Sequence, residues 1–218
     1  MKTLLLTDIH GDTEKLEEIL KREKFEVALV AGDLSDAGEY SNYEKNLEKV
    51  LETLDENSEL TDAIPGNMDP ERECVRQLID RRMNLHKNIS SYKGFEATGF
   101  GGGQTPFGTP FEPEEKEIRD VVSKLHERMQ SDTKVAVIHQ PPANTELDVA
   151  DGNHVGSSEV RSLIEDSDFD LMVTGHIHES RGTDNVGGTL LTNPGPVKDG
   201  YYAVAEIEEG IDLELKHL

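Results

Sequence analysis

Residues 2–11, KTLLLTDIHG, run an apolar stretch straight into an aspartate, a histidine and a glycine. The stretch does not alternate polar with apolar. The strand it predicts must therefore be buried on both faces, as in a parallel sheet covered on both sides. The polar tail then falls at the strand's carboxyl end, where open α/β sheets build their sites. The same arrangement recurs along the chain. FEVALVAG (25–32) is a second buried strand, ending in Asp33 and Asp36 of AGDLSDAG. TDAIPG (61–66) is a third and ends in Asn67. KVAVI (134–138) ends in His139, and FDLMVTG (169–175) leads into His176 and His178.

Amphipathic helices separate these strands. Leu16, Ile19 and Leu20 mark one, and Leu47, Val50, Leu51 and Leu54 mark a second at helical spacing. PERECVRQLID (70–80) starts a third with proline in its first turn. Ile118, Val121, Val122, Leu125 and Met129 form one stripe of a fourth. Ser157 or Ser158 caps a fifth, bearing Val160, Leu163 and Ile164. Residues 89–103 read as two short strands joined near Lys93-Gly94, and GGGQTPFGTPFEP (101–113) and PPANTELDVADGNHVG (141–156) as loops. The tail segments GGTLLTNPG, YYAVAEIE and IDLELKHL read as antiparallel strands with a turn at Glu209-Gly210. The order βαβα followed by β-rich segments gives two sheets with flanking helices in one domain, 1–218.

Composition narrows the function. Forty-five acidic residues against 22 basic ones give a net charge of -23. Such a field repels nucleic-acid backbones, so non-specific nucleic-acid binding is not expected. The acids of EKLEEILKREKFE (14–26) and EKNLEKVLETLDENSE (44–59) interleave with lysines on helical faces, which is solvation and i,i+4 pairing. No apolar run approaches the roughly 20 residues that span a bilayer. MKTLLLTDIHG could pass for the start of a signal peptide, but its apolar part is only LLL and Asp8 interrupts it. A single cysteine, Cys74, excludes an internal disulfide and fits a reducing cytoplasm.

Taken singly, each polar strand end is weak: Asp-x-His can be a turn, and GDLSD an Asx turn capping a helix. GHIH is stronger, because in an extended chain residues i and i+2 point to the same side. Together, five strand ends deliver carboxylates, an amide and imidazoles to one edge, which predicts a metal site. Oxygen and nitrogen donors without thiolates suit Mn²⁺, Fe, Zn²⁺ or Ni²⁺, and ligand type alone does not choose among them. Mn²⁺ is the first expectation.

In order, Asp8-x-His10, Gly32-Asp33-x-x-Asp36, Gly66-Asn67, His139 and Gly175-His176-x-His178 match the motifs of the calcineurin-like metallophosphoesterase superfamily. The resemblance runs from residue 3 to about 196, and GGTLLTNPGP and HVGSSEVRSLIE resemble its small archaeal and bacterial single-domain members. It implies a four-layer αββα sandwich of two mixed β-sheets flanked by helices. It also implies two divalent ions, one on Asp8, His10, Asp33 and His178 and one on Asp33, Asn67, His139 and His176, with Asp33 as bridge. A metal-bridging hydroxide would attack phosphorus in line while the ions neutralise phosphoryl charge. Asp36 reads as a support that holds a ligand or its loop in place.

The expected activity is hydrolysis of a small phosphorylated or phosphodiester substrate, the diester leading. Alternatives are a non-catalytic metal-binding scaffold on the same fold and a nucleic-acid-processing nuclease. The first normally loses ligands, and none of the matched positions is lost here. The second normally carries capping domains and basic surfaces. A homo-oligomer stays open. In the AIPGNMDP stretch (63–70), Met68 stands where many relatives carry a histidine thought to protonate the leaving oxygen. A thioether has no acidic proton, and the expected role of Met68 is to fill a gap beside the metal loop. Asp69, His154 or a metal-bound water are the other proton sources. His86, His126 and His217 read as ordinary surface or helix-face histidines.

Overall fold

Leu4 and Leu6 point to one side of the first strand and Leu5 to the other, and all three are fully buried. In the computed structural model, which describes residues 1–208 and 210–218, this is β1 (Lys2–Leu6). Asp12 then caps α1 (Thr13–Arg22) by accepting the Lys15 amide at 2.9 Å. β2 (Val27–Val30) follows, and Asn42 caps α2 (Tyr43–Asn57) in the same way at 3.1 Å. After β3 (Thr61–Ala63), α3 (Glu71–Asp80) starts with Pro70 at its cap position, one residue earlier than the first-turn place expected. β4 (Ile89–Tyr92) and β5 (Phe95–Phe100) form the expected hairpin, with Gly94 at φ +96° in its turn.

α4 (Glu115–His126) buries Ile118, Val122 and Leu125; Met129 is buried too, but past the helix end. β6 (Lys134–Ile138) is next. The segment expected as a long loop contains a small hairpin, β7 (Val149–Ala150) and β8 (Asn153–His154). Ser157 caps α5 (Ser158–Glu165), its hydroxyl accepting the Val160 amide at 3.1 Å. β9 (Leu171–Val173), β10 (Gly182–Val186), β11 (Thr189–Asn193), β12 (Tyr201–Ile207) and β13 (Ile211–His217) complete the chain. The turn expected at Glu209-Gly210 lies partly outside the described residues.

Two mixed sheets result. The first has the order β13-β12-β1-β2-β3, with β1, β2 and β3 mutually parallel and β12 antiparallel to β1. The second has the order β10-β11-β9-β6-β5-β4, parallel from β11 to β5 and antiparallel at both edges. One expectation is corrected here. GGTLLTNPG does not pair with the tail strands; β11 lies parallel to β9 in the other sheet, antiparallel to β10.

Three apolar layers separate four structural ones. Leu4, Leu6, Ala28 and Val30 pack on α1 and α2 through Leu16, Ile19, Leu47 and Leu51. Leu5, Val27, Leu29 and Ala203 meet Ala97, Val135, Val137 and Val173 between the sheets. Ala136, Ile138 and Met172 pack on α4 and α5 through Ile118, Val122, Val160 and Leu163. Odd and even residues of one strand thus serve different layers, which is why these strands read as continuously apolar. The fold is the four-layer αββα sandwich. The carboxyl ends of β1, β2 and β3 in one sheet and of β6 and β9 in the other supply the polar residues described next. Among the described residues no helix is long and apolar enough to cross a membrane.

Candidate metal centre

The segments after β1, β2, β3, β6 and β9 bring Asp8, His10, Asp33, Asn67, His139, His176 and His178 together. Four of these, Asp8, His10, Asp33 and His176, hold positive φ (53°, 47°, 49° and 70°), half of all non-glycine residues that do so among the described residues. Such backbone costs of order 1–3 kcal/mol per residue and persists only where surrounding structure imposes it. Glycines make the crowding feasible. A Cβ on Gly66 would stand 2.0 Å from Asp33 Oδ1, and one on Gly175 would stand 1.9 Å from Thr7 Oγ1 and 2.7 Å from Asp8 Oδ2. The GHIH segment is not extended, as its spacing suggested. β9 ends at Val173, His176 is left-handed, and His178 opens a 3-10 turn, His178–Ser180.

The side chains lie in two neighbouring groups, with Asp33 between them. In one, His178 Nε2 is 3.2 Å from Asp8 Oδ1 and 3.1 Å from His10 Nε2. In the other, Asn67 Oδ1 is 3.0 Å from His139 Nε2 and 2.7 Å from His176 Nδ1. Asp33 Oδ2 lies 3.6 Å from His10 Nε2 and 3.5 Å from His139 Nε2. Asp8, His10 and His178 thus form one set able to hold an ion, and Asp8, Asp33 and His139 another.

Five of the seven, His139, His10, His176, Asp8 and Asp33, are oriented from behind, as metal-ligating side chains are. His139 Nδ1 donates to the Ala31 carbonyl at 2.6 Å, which leaves Nε2 toward the cluster. His10 Nδ1 pairs with Asp36 Oδ2 at 3.1 Å, and Asp36 Oδ1 accepts the amides of Gly38 and Glu39. His176 uses Nε2 on the Gln104 carbonyl at 3.2 Å, leaving Nδ1 inward. Asp8 Oδ2 accepts the Thr7 hydroxyl and the His176 amide, so Oδ1 is left. Asp33 Oδ1 accepts the Met68 amide at 2.8 Å, which leaves Oδ2. Asn193 Nδ2 holds the Ile177 carbonyl at 2.9 Å between the two histidines.

The electrostatics ask for positive charge. Burial opposes ionisation of Asp8, but the His178 hydrogen bond and the fields of His139, His178 and His10 outweigh it and hold the carboxyl well below the usual range. Burial also opposes ionisation of Asp33, and His139 and His10 overcome it. At His139, desolvation favours the neutral ring, yet Asp33 and Asp8 push its pKa up to about 9. At His176, desolvation and the charge of His139 push it down to about 4, so the ring stays neutral at neutral pH. Carboxylates held ionised and a neutral His176 are donor states a divalent ion requires, and an ion on His139 would displace the proton that Asp33 and Asp8 hold on that ring.

The two side chains expected as proton sources differ in access. Asp69 is fully buried and its oxygens accept four donors: the amides of Leu34, Ser35 and Gly66 and the Tyr43 hydroxyl, at 2.8–3.0 Å. Burial and neighbouring Asp33 push its pKa up to about 6, but the side chain is shut off from solvent contact at 0% exposure. His154 is on β8, half-exposed, with Nδ1 on Asp148 Oδ1 at 2.7 Å. Met68 is half-buried, with its methyl against Gly38, in keeping with a gap-filling role. His86 is not a surface histidine. It is 4% exposed, accepts the Gly101 amide on Nδ1 and uses Nε2 on Glu71. His126 is half-buried against Asp168 and Phe169, and His217 is exposed. Sequence reasoning missed Thr7, Gln104, Tyr43 and Asn193; Thr7 adjoins a ligand motif, and the other three carry no signal in the sequence.

The calcineurin-like phosphoesterase family model matches residues 1–180. An uncharacterized protein of Methanocaldococcus jannaschii is 32% identical over 209 residues, covering 90% of this chain and 88% of its own. Among solved structures, TT1561 of Thermus thermophilus aligns with a TM-score of 0.77 at 20% identity, covering 99% of this chain and 98% of its own. A dimetal phosphatase from Danio rerio aligns with a TM-score of 0.70 at 12% identity, covering 100% of this chain and 96% of its own. At these identities the two structures speak to the fold alone.

Proposed function

The chain belongs to the calcineurin-like phosphoesterase family, and from that premise we propose that it is a dinuclear-metal-dependent hydrolase of small phosphate esters, diesters ahead of monoesters. Asp8, His10, Asp33 and His178 would hold one divalent ion, and Asp33, Asn67, His139 and His176 the other. The observation that carries this is the shared oxygen: Asp33 Oδ2 stands 3.6 Å from one group's His10 and 3.5 Å from the other's His139. The donor set contains oxygen and nitrogen and no thiolate, which suits Mn²⁺ first, then Ni²⁺, Zn²⁺ or Fe. When bound, such a pair activates water as nucleophile and neutralises charge on the phosphoryl oxygens.

The chain's own residues set the geometry. Asp36 and the Ala31 carbonyl fix the tautomers of His10 and His139 and thereby aim their Nε2 atoms. The Met68 amide fixes which oxygen of Asp33 faces inward. Asp69 acts as a clamp rather than an acid, because it ties the loop after β2 to the loop after β3. Met68 has no proton to give, so esters with good leaving groups, diesters with an activated or cyclic linkage among them, are favoured unless another group supplies the proton. A lone, buried Cys74 suits work in a reducing cytoplasm. Stripping the protein of metal and reconstituting it with Mn²⁺, Ni²⁺ or Zn²⁺ tests the proposal, with aryl phosphodiester and aryl phosphomonoester as substrates. Metal-dependent turnover with the diester leading is the expected result. Metal-independent turnover, or none with any ion, would refute it.

A further inference from the structure

Outside the cluster, His154 is held by a buried carboxylate and yet open to solvent. His154 Nδ1 pairs with Asp148 Oδ1 at 2.7 Å, and its side chain is 52% exposed while Asp148 is fully buried. Asp148 is itself built in. Its carboxylate accepts the amides of Asn144, Thr145 and Gly156 at 2.9–3.0 Å. Burial opposes its ionisation, and the His154 hydrogen bond with these amides overcomes that and keeps it below the usual carboxylate range. A buried carboxylate thus fixes Nδ1 and leaves Nε2, on a half-exposed ring, as the nitrogen open to a ligand.

The strand carrying this ring is fastened between segments that bear cluster residues. Val149, the partner of His154 across the β7–β8 pair, exchanges two hydrogen bonds with Ser180 Oγ, at 3.0 and 2.6 Å. Ser180 closes the 3-10 turn that His178 opens. The Asp151 amide adds a bond to Glu179 at 2.7 Å. On the other flank the Val155 carbonyl accepts Gln140 Nε2 at 3.5 Å, and Gln140 directly follows His139. Gln140 Oε1 also accepts the Gln104 amide at 2.7 Å, and the Gln104 carbonyl meets His176 Nε2 at 3.2 Å. The hairpin is therefore tied to the surroundings of His139, His176 and His178 at once.

We infer that His154, oriented by Asp148, donates the proton that the leaving oxygen needs. The inference rests on the phosphoesterase reading and supplies the acid that Met68 cannot. In the step, a water oxygen forms its bond to phosphorus and its proton passes to solvent. The bond from phosphorus to the leaving oxygen breaks with its electron pair on that oxygen. That oxygen takes the proton from His154 Nε2, and the imidazole regains one from solvent. Asp148 is a positioning residue: it sets which nitrogen faces the substrate.

Mn²⁺-loaded wild type, His154→Ala and His154→Gln are compared on methyl, phenyl and 4-nitrophenyl phosphodiesters, with metal content measured on each sample. Because a poor leaving group needs the proton most, the loss in kcat should deepen from a few-fold on the 4-nitrophenyl ester to about a hundredfold on the methyl ester. His217→Ala, an exposed residue on β13, serves as the control and should leave the series unaltered. Equal losses on all three esters, or none, with wild-type activity intact, would overturn the role of His154 while leaving the phosphoesterase reading standing. A wild type that hydrolyses none of the esters would overturn both.

Discussion

Replacing Asp69 by alanine should loosen both loops that bring Asp33 and Asn67 together. The carboxylate is fully buried and accepts the amides of Leu34, Ser35 and Gly66 and the Tyr43 hydroxyl. Alanine orphans all four donors, and a buried unsatisfied donor costs roughly 1–3 kcal/mol. Part of that loss is returned, because burial and Asp33 already penalise the ionised carboxyl and push its pKa up to about 6. A net destabilisation of about 3–5 kcal/mol follows, the range seen when one partner of a buried charged network is removed. For a chain of 218 residues, that is a fall in Tm of roughly 6–20 °C. Asp69→Asn keeps one acceptor oxygen and should lose about half as much. Metal-free protein followed by calorimetry and urea unfolding reads this directly. An Asp69→Ala protein within about 1 kcal/mol of wild type, or an Asn variant as damaged as the Ala one, would refute the clamp.

The same geometry makes three further outcomes testable. Gly66→Ala places a Cβ 2.0 Å from Asp33 Oδ1, so Asp33 must shift by about 1 Å; turnover should fall about a hundredfold, and a folded variant within threefold of wild type would count against the packing. Glu71 has its pKa lowered to about 2 by the His86 hydrogen bond, assisted by Lys87. Because that folded-state pKa lies below the unfolded one, the stability it contributes is complete above about 4.5 and is lost as pH falls toward 2. The stability gap between wild type and Glu71→Gln should therefore close over that window, and a gap that widens on acidification would contradict the assignment. Met68→His, made in the His154→Ala background, should restore turnover of the methyl ester relative to the 4-nitrophenyl ester. An unaltered ratio would show that a group at position 68 cannot reach the leaving oxygen.

Much of the fold was legible because β1, β2, β6 and β9 serve two apolar layers at once, and continuous apolar runs announce that directly. β10 was missed because Gly182, Thr183, Asp184 and Asn185 carry no apolar pattern on an edge strand. The sheet joined by β11 was misread because strand partnering is decided by tertiary contacts that no local pattern encodes. The seven clustered donors were legible as motifs at strand ends. Their left-handed backbone was not, since nothing in TDIHG or TGHIH distinguishes a strained turn from an extended strand. His86 reads as a stray polar residue, and only the structure shows it buried between Phe100 and Phe111 with its ring nitrogens on Gly101 and Glu71. Asp69 was misassigned for the opposite reason: a carboxylate two residues from Asn67 suggests chemistry, yet its oxygens are spent on backbone amides and a tyrosine.

Metal stoichiometry tests the two-ion account most directly. Metal-free wild type and Asp33→Asn are each saturated with Mn²⁺, freed of excess by gel filtration and analysed for metal per chain, with circular dichroism confirming that the variant folds. The account predicts two ions per chain in wild type and fewer than one in the variant, because the residue proposed to bridge both ions has lost its anionic oxygen. Two tightly held ions in both proteins, or no more than one in wild type, would contradict it.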